Sequence, residues 1–217
     1  ATDFGGTDLE GCNENLVITR PDVIQSMHEQ FLSAGVDVIE TATNGAFSVP
    51  LSEYGIEDRV NENNFKSAQI AREVVTGFDI DRPRWVAGSI GPGTRFASLG
   101  QIGYYDLRNA YEAQARGLLE GGVDLLIIET VFDLLGAKAA INGCRQAMQT
   151  IDRQVPLQVQ VTIEVTGRML PGTEMSAAIG ALLPLGPDVL GINCATGPAE
   201  MSEHLRVLSE HLHVVRL

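Results

Sequence analysis

Short apolar runs of strand length alternate with amphipathic stretches of helix length throughout this chain, and that alternation narrows the folds open to it. The apolar runs cover residues 36–41, 85–91, 124–130, 156–164, 189–194 and 213–217. Helical patterns stand between them at 21–34, 58–76 and 106–120, closed by Gly35, Gly77 and the pair Gly121-Gly122, and again at 133–149, 174–183 and 198–212. A glycine just past a helix adopts the left-handed conformation that ends it without a Cβ clash. Strand and helix in strict alternation require parallel strands joined by right-handed crossovers, so the choice lies between an open doubly wound sheet and a closed (β/α) barrel. About 20 residues of loop character precede the first helix, and six strands are legible where a closed barrel has eight.

The residues that end the strands favour the barrel. Glu40-Thr41, Ser89, Glu129-Thr130, Glu164 and Asn193-Cys194 place a polar group at the carboxyl end of five different strands. Barrel enzymes draw their chemistry from several strand ends on one face, whereas an open sheet gathers its ligand contacts at one switch point. Any one of these residues taken alone serves equally well as a helix cap or a solvated loop residue. The segment 189–198 is the most informative: an apolar strand ends on Asn193 and Cys194, and Gly197-Pro198 then opens a helix. Cys194 is therefore expected at the mouth of a site. The run Gly88-Ser89-Ile90-Gly91-Pro92-Gly93 follows a strand, but its glycine spacing is not that of a dinucleotide-binding loop.

Charge and cysteine content exclude several classes. With 28 acidic and 15 basic residues the chain carries a formal charge of −13, which opposes nucleic acid and anionic membrane surfaces as partners. No apolar stretch reaches the roughly 20 residues that cross a bilayer, and no signal peptide is legible at the start. The three cysteines, Cys12, Cys144 and Cys194, are too scattered for a disulfide framework, which suits a cytoplasmic protein. A chain of 217 residues with this apolar content is expected to form one domain over residues 1–217.

Six stretches carry a family resemblance: 9–16 (LEGCNENL), 19–24 (TRPDVI), 34–41 (AGVDVIET), 86–92 (VAGSIGP), 120–130 (EGGVDLLIIET) and 191–197 (GINCATG). In this order they resemble the homocysteine-binding barrel family of homocysteine S-methyltransferases, in its cobalamin-dependent methionine synthase branch. The resemblance implies a (β/α)8 TIM barrel, incomplete here, lacking its first strand and its last βα units. It implies zinc held by three cysteines, of which Cys194 matches the one following a strand, while the adjacent pair that supplies the other two is absent. It implies homocysteine as substrate, with Glu129 accepting its ammonium group and Asn193 orienting the loop beside Cys194. Glu40 and Ser89 are further candidates for lining the substrate site. Methylcobalamin, bound by another domain, would donate the methyl group, and the folate- and cobalamin-binding domains of a parent chain would be the partners. The loop 40–47 departs from the family pattern at Ala42 and Asn44, where the family more often has Asn and Phe.

A zinc-bound sulfur is held as a thiolate at neutral pH, where a free thiol near pKa 8.5 is mostly protonated. Two other readings stand beside this one. A betaine- or S-methylmethionine-dependent homocysteine methyltransferase shares the barrel, and a truncated fragment, inactive by itself, keeps the pattern without the site. Cys144 is expected to pack against the barrel wall, Cys12 to be a lone thiol, Glu164 a strand-end charge, and His204 and His211 surface residues.

Overall fold

The structure is a computed structural model, and it describes residues 3–78 and 82–211. Its frame is α1 (Leu16–Thr19), α2 (Pro21–Ser33), β1 (Val38–Glu40), α3 (Ser48–Leu51), α4 (Val60–Gly77), β2 (Trp85–Ile90), α5 (Tyr104–Gly121), β3 (Leu125–Val131), α6 (Leu134–Ile151), β4 (Leu157–Val161), α7 (Met175–Leu182), β5 (Val189–Ile192) and α8 (Pro198–His211). Every strand pairing is parallel and the sheet order is β1-β2-β3-β4-β5. A doubly wound sheet reverses its strand order at a switch point. Here the order runs straight through, and right-handed crossovers in one direction place the helices on one side, as in the wall of a barrel. The α/β fold class and five of the six expected strands are therefore present. The sixth, 213–217, lies outside the described residues.

The first 20 residues differ from the loop expected of them. They contain 3-10 turns at Thr7–Leu9 and Asn13–Asn15 before α1. Turns this short bury too few residues to show a hydrophobic period, so they leave no pattern to read.

Strand periodicity separates the two faces of the sheet. Ile39, Val86, Ile90, Leu126, Ile128, Leu157, Val159, Val161 and Leu190 pack in the main core with the helices. The alternate positions, among them Glu40, Ser89, Ile127, Glu129, Gln158 and Gln160, therefore face the concave side. Cys144, on α6, is fully buried in the same core, and burial pushes its thiol up to about 12. Cys12 is buried in a separate small cluster with Leu51, Ile56 and Val60, and its thiol is also raised by burial. At the β1 edge of the sheet, Phe31, Val38 and Trp85 are exposed.

The amino-terminal face of the sheet carries a repeated device. Gly122-Val123-Asp124 and Gly186-Pro187-Asp188 each leave a helix through a left-handed glycine and enter a strand. Asp124 Oδ2 accepts the Val86 N–H at 2.7 Å, and Asp188 Oδ2 accepts the Leu157 N–H at 2.8 Å. Each aspartate thus satisfies a donor at the start of the preceding strand, the second residue of β2 and the first of β4, and helps fix its register. Arg72 adds an ion pair to Asp124 at 2.6 Å and a hydrogen bond to the Gly122 carbonyl at 2.8 Å, a cation at the carboxyl end of α5.

Helices α5 and α6 meet at Gly143. A Cβ at that position would lie 2.6 Å from the Arg108 carbonyl oxygen and 2.9 Å from the Glu112 nitrogen, both backbone atoms unable to turn aside. Gly143→Ala is expected to destabilise the chain by about 2 kcal/mol, overpacking outweighing the gain in helix propensity. Denaturant unfolding measures this, and an unchanged midpoint would refute the close packing of α5 on α6.

Candidate active site at the carboxyl ends of the strands

A defect in β3 organises the site. The pairing of β3 with β4 shifts between Ile128 and Val131, and Thr130 has φ 56°. Had the strand continued regularly, Val131 would face the concave side. One extra residue returns Val131 to the helix-facing core and leaves Glu129 on the concave face. A β-branched residue in the left-handed region is strained by about 1–3 kcal/mol and persists only where its surroundings hold it.

Asn193 supplies that hold. Its backbone N–H donates to Val161 O at 3.2 Å, which seats it just beyond β5. Its Oδ1 accepts the Thr130 N–H at 2.9 Å, which fixes the orientation of the amide. Nδ2 then donates to Thr130 Oγ1 at 3.0 Å and to Glu129 Oε2 at 3.3 Å. On the other side of Glu129, Ser89 Oγ donates to Oε1 at 2.5 Å. Both carboxylate oxygens of Glu129 are thus held, one from β2 and one from beyond β5, with lone pairs left for a ligand.

The thiol lies beside this network. Cys194 is exposed, and it and Ala195 are both left-handed, at φ 62° and 57°. Cys194 Sγ stands 3.4 Å from Thr130 Oγ1. That oxygen also accepts from the Asn193 amide, and across the contact to sulfur either the hydroxyl or the thiol can donate.

Glu40 faces the same side. Its carboxyl is raised above the ordinary glutamate range, first by lost hydration and then by the negative charge of Glu129. Two acidic side chains are thus turned to one concave surface.

The β1 loop is anchored to β2. Thr41 Oγ1 accepts the Ser89 N–H at 3.0 Å, Thr43 Oγ1 donates to Ser89 O at 2.7 Å, and the two hydroxyls lie 2.6 Å apart. Gly91 N donates to the Asn44 carbonyl at 2.8 Å. At Asn44, then, the backbone makes the link to β2.

Of the sequence candidates, Ser89, Glu129 and Asn193 form one hydrogen-bonded network, Cys194 joins it through Thr130, and Glu40 acts on it through charge. Glu164 instead opens a turn, its carbonyl accepting from Gly167 N at 2.8 Å. Sequence reasoning gave no role to Thr130, whose strained backbone has no local signature. Among the described residues no group of three or more His, Cys, Asp and Glu side chains could hold a metal ion. Cys12 and Cys144 are buried in other clusters, so this chain's residues do not complete a three-cysteine site.

The family profile described as homocysteine S-methyltransferase matches residues 3–216. A methionine synthase of Mycobacterium tuberculosis (strain ATCC 25618 / H37Rv) is 48% identical over 213 residues, 98% of this chain and 18% of that protein. One from Mycobacterium leprae (strain TN) is 47% identical over the same length and the same shares. The chain thus spans less than a fifth of these relatives. Among solved structures, the metallated homocysteine methyltransferase MmuM from Escherichia coli superposes with a TM-score of 0.74 at 20% identity, over 91% of this chain and 71% of that one. Its apo form gives 0.70 at 20% identity, over 92% and 72%. At that identity the likeness is one of fold.

Proposed function

From the premise that this chain belongs to the homocysteine S-methyltransferase family, we propose that its strand-end site binds homocysteine as the acceptor of a methyl group and yields methionine. The observation that carries this reading is the Ser89–Glu129–Asn193 network, which presents a held carboxylate on the same face as the exposed Cys194 thiol. Glu129, with Glu40 opposite it, takes the substrate ammonium group. The substrate sulfur then lies toward Cys194, where it attacks an electrophilic methyl carbon. The S–CH3 bond forms as the bond from methyl to donor breaks, and the donor keeps that bonding pair.

Zinc, when bound, would keep the substrate sulfur as a thiolate near neutral pH. Cys194 would be one of its ligands, and the rest of the shell is not among the described residues. That incompleteness supports the reading in which these residues work as part of a longer polypeptide, by themselves inactive. Methylcobalamin as donor, with folate- and cobalamin-binding domains as partners, follows from the resemblance to the methionine synthase branch. The chain's acidity and the absence of any membrane-crossing helix among the described residues accord with a cytoplasmic setting.

The raised Glu40 carboxyl supplies the test. Between the ordinary glutamate value and its raised value, Glu40 is protonated in the folded chain and ionised in the unfolded one, so stability falls as pH rises through that window. A bound ammonium group pulls Glu40 back down, so homocysteine binding within the window should release a proton. Calorimetry in buffers of differing ionisation enthalpy reads this release. Its presence in an unsubstituted longer polypeptide that contains this chain and binds zinc, and its reduction in the Glu40→Gln variant of that polypeptide, are the expected results; binding without that difference would remove Glu40 from the site.

A further inference from the structure

The hydrogen bonds that seat Glu129 extend outward to a helix on the far side of the sheet. Gln114, on α5, is fully buried, and its Nε2 donates to the Thr43 carbonyl at 2.7 Å. Thr43 Oγ1 donates to Ser89 O, and Ser89 Oγ donates to Glu129. Thr41 and Thr43 are buried too, so water cannot replace these bonds. The Gln114 Oε1 atom is buried without a partner. An amide kept in the interior with an unsatisfied oxygen is there for its donor.

Other side chains on the outer helices hold neighbouring parts of the same loop. Ser67 Oγ accepts the Ala42 N–H at 2.9 Å, and Asn64 Nδ2 donates to Ala46 O at 2.6 Å. Gln114 alone among these three grips Thr43, whose hydroxyl donates to the Ser89 carbonyl while that of Thr41 accepts the Ser89 N–H.

We propose that Gln114 is a positioning residue, which holds the β1 loop through Thr43 and so sets Ser89 and the Glu129 carboxylate for the substrate. This rests on the reading of the strand-end face as the homocysteine site. Gln114 touches no substrate. Its loss loosens the grip on the ammonium group and leaves the sulfur end, at Thr130 and Cys194, unaltered.

The test is Gln114→Met, which keeps the length of the side chain and removes the donor. Amide exchange of residues 41–47 should quicken about tenfold or more while that of α5 is unchanged, since local opening follows the bonds removed. In a methyl-transferring polypeptide containing this chain, KM for homocysteine should rise about tenfold with kcat within about twofold, the pattern of lost substrate binding. Unaltered exchange over 41–47 overturns the proposal, as does a fall in kcat at constant KM. Should the variant not fold, the unsubstituted chain decides the matter by NMR: the Gln114 side-chain amide protons should exchange slowly, and fast exchange overturns the proposal. Failure of the unsubstituted methyl-transferring polypeptide to bind homocysteine would sink the functional reading instead, with the exchange measurements still deciding the role of Gln114.

Discussion

Replacing Cys194 with serine, in a polypeptide that methylates homocysteine, is expected to lower the rate about a thousandfold, about 4 kcal/mol of transition-state stabilisation. Cys194 has the one exposed thiol of the chain's three. Its backbone is left-handed and its sulfur meets the Thr130 hydroxyl, so its position is set by strain and hydrogen bonding together. Serine fits the same space and keeps a hydrogen bond to Thr130, so folding should be little affected. Zinc content and methyl transfer should fall together. A serine variant with full activity would show that the thiol is a bystander.

Asn193→Leu should have the second largest effect. The amide closes three hydrogen bonds, to the Thr130 N–H, the Thr130 hydroxyl and Glu129. Its loss leaves the strained Thr130 without the partner that holds it and frees one side of the Glu129 carboxylate. The expected cost is about 3 kcal/mol of stability, from orphaned polar groups at the bulge. Homocysteine affinity should fall on the order of a hundredfold, as for other residues that orient a binding group. Asn193→Asp separates the two effects. It keeps an acceptor for the Thr130 N–H but sets a second carboxylate against Glu129, so binding should suffer more than stability. Denaturant unfolding and homocysteine titration on both variants check this, and equal losses of stability in the two would contradict it.

Much of this architecture could be read from residue order. Helices that end on Gly35 and Gly122, and strands that end on Glu129 and Asn193, are local signals: each depends on a few adjacent residues and on the periods of strand and helix. The concave placement of Glu40, Ser89 and Glu129 follows from the same two-residue period. What the order of residues hides is anything made by distant pairs. The β3 bulge exists because Asn193, 63 residues further on, offers an acceptor to Thr130. Gln114 is an unremarked polar residue on an amphipathic helix until the fold brings Thr43, 71 positions earlier, within reach. The departures at Ala42 and Asn44 are differences of side chain, whereas the hydrogen bonds from the Ala42 N–H to Ser67 and from the Gly91 N–H to the Asn44 carbonyl use the loop's backbone.

We propose that Cys194 and the Glu129 network form part of a site that methylates homocysteine sulfur. Its most direct test is zinc content and homocysteine binding under reducing conditions. The comparison sets this chain beside a polypeptide extended at both ends toward the length of its methionine synthase relatives, each with and without Cys194→Ser. About one zinc per chain is expected in the extended protein only, the usual stoichiometry of such a centre, lost with Cys194 and accompanied by homocysteine binding. Zinc and homocysteine bound equally well without Cys194 would contradict it.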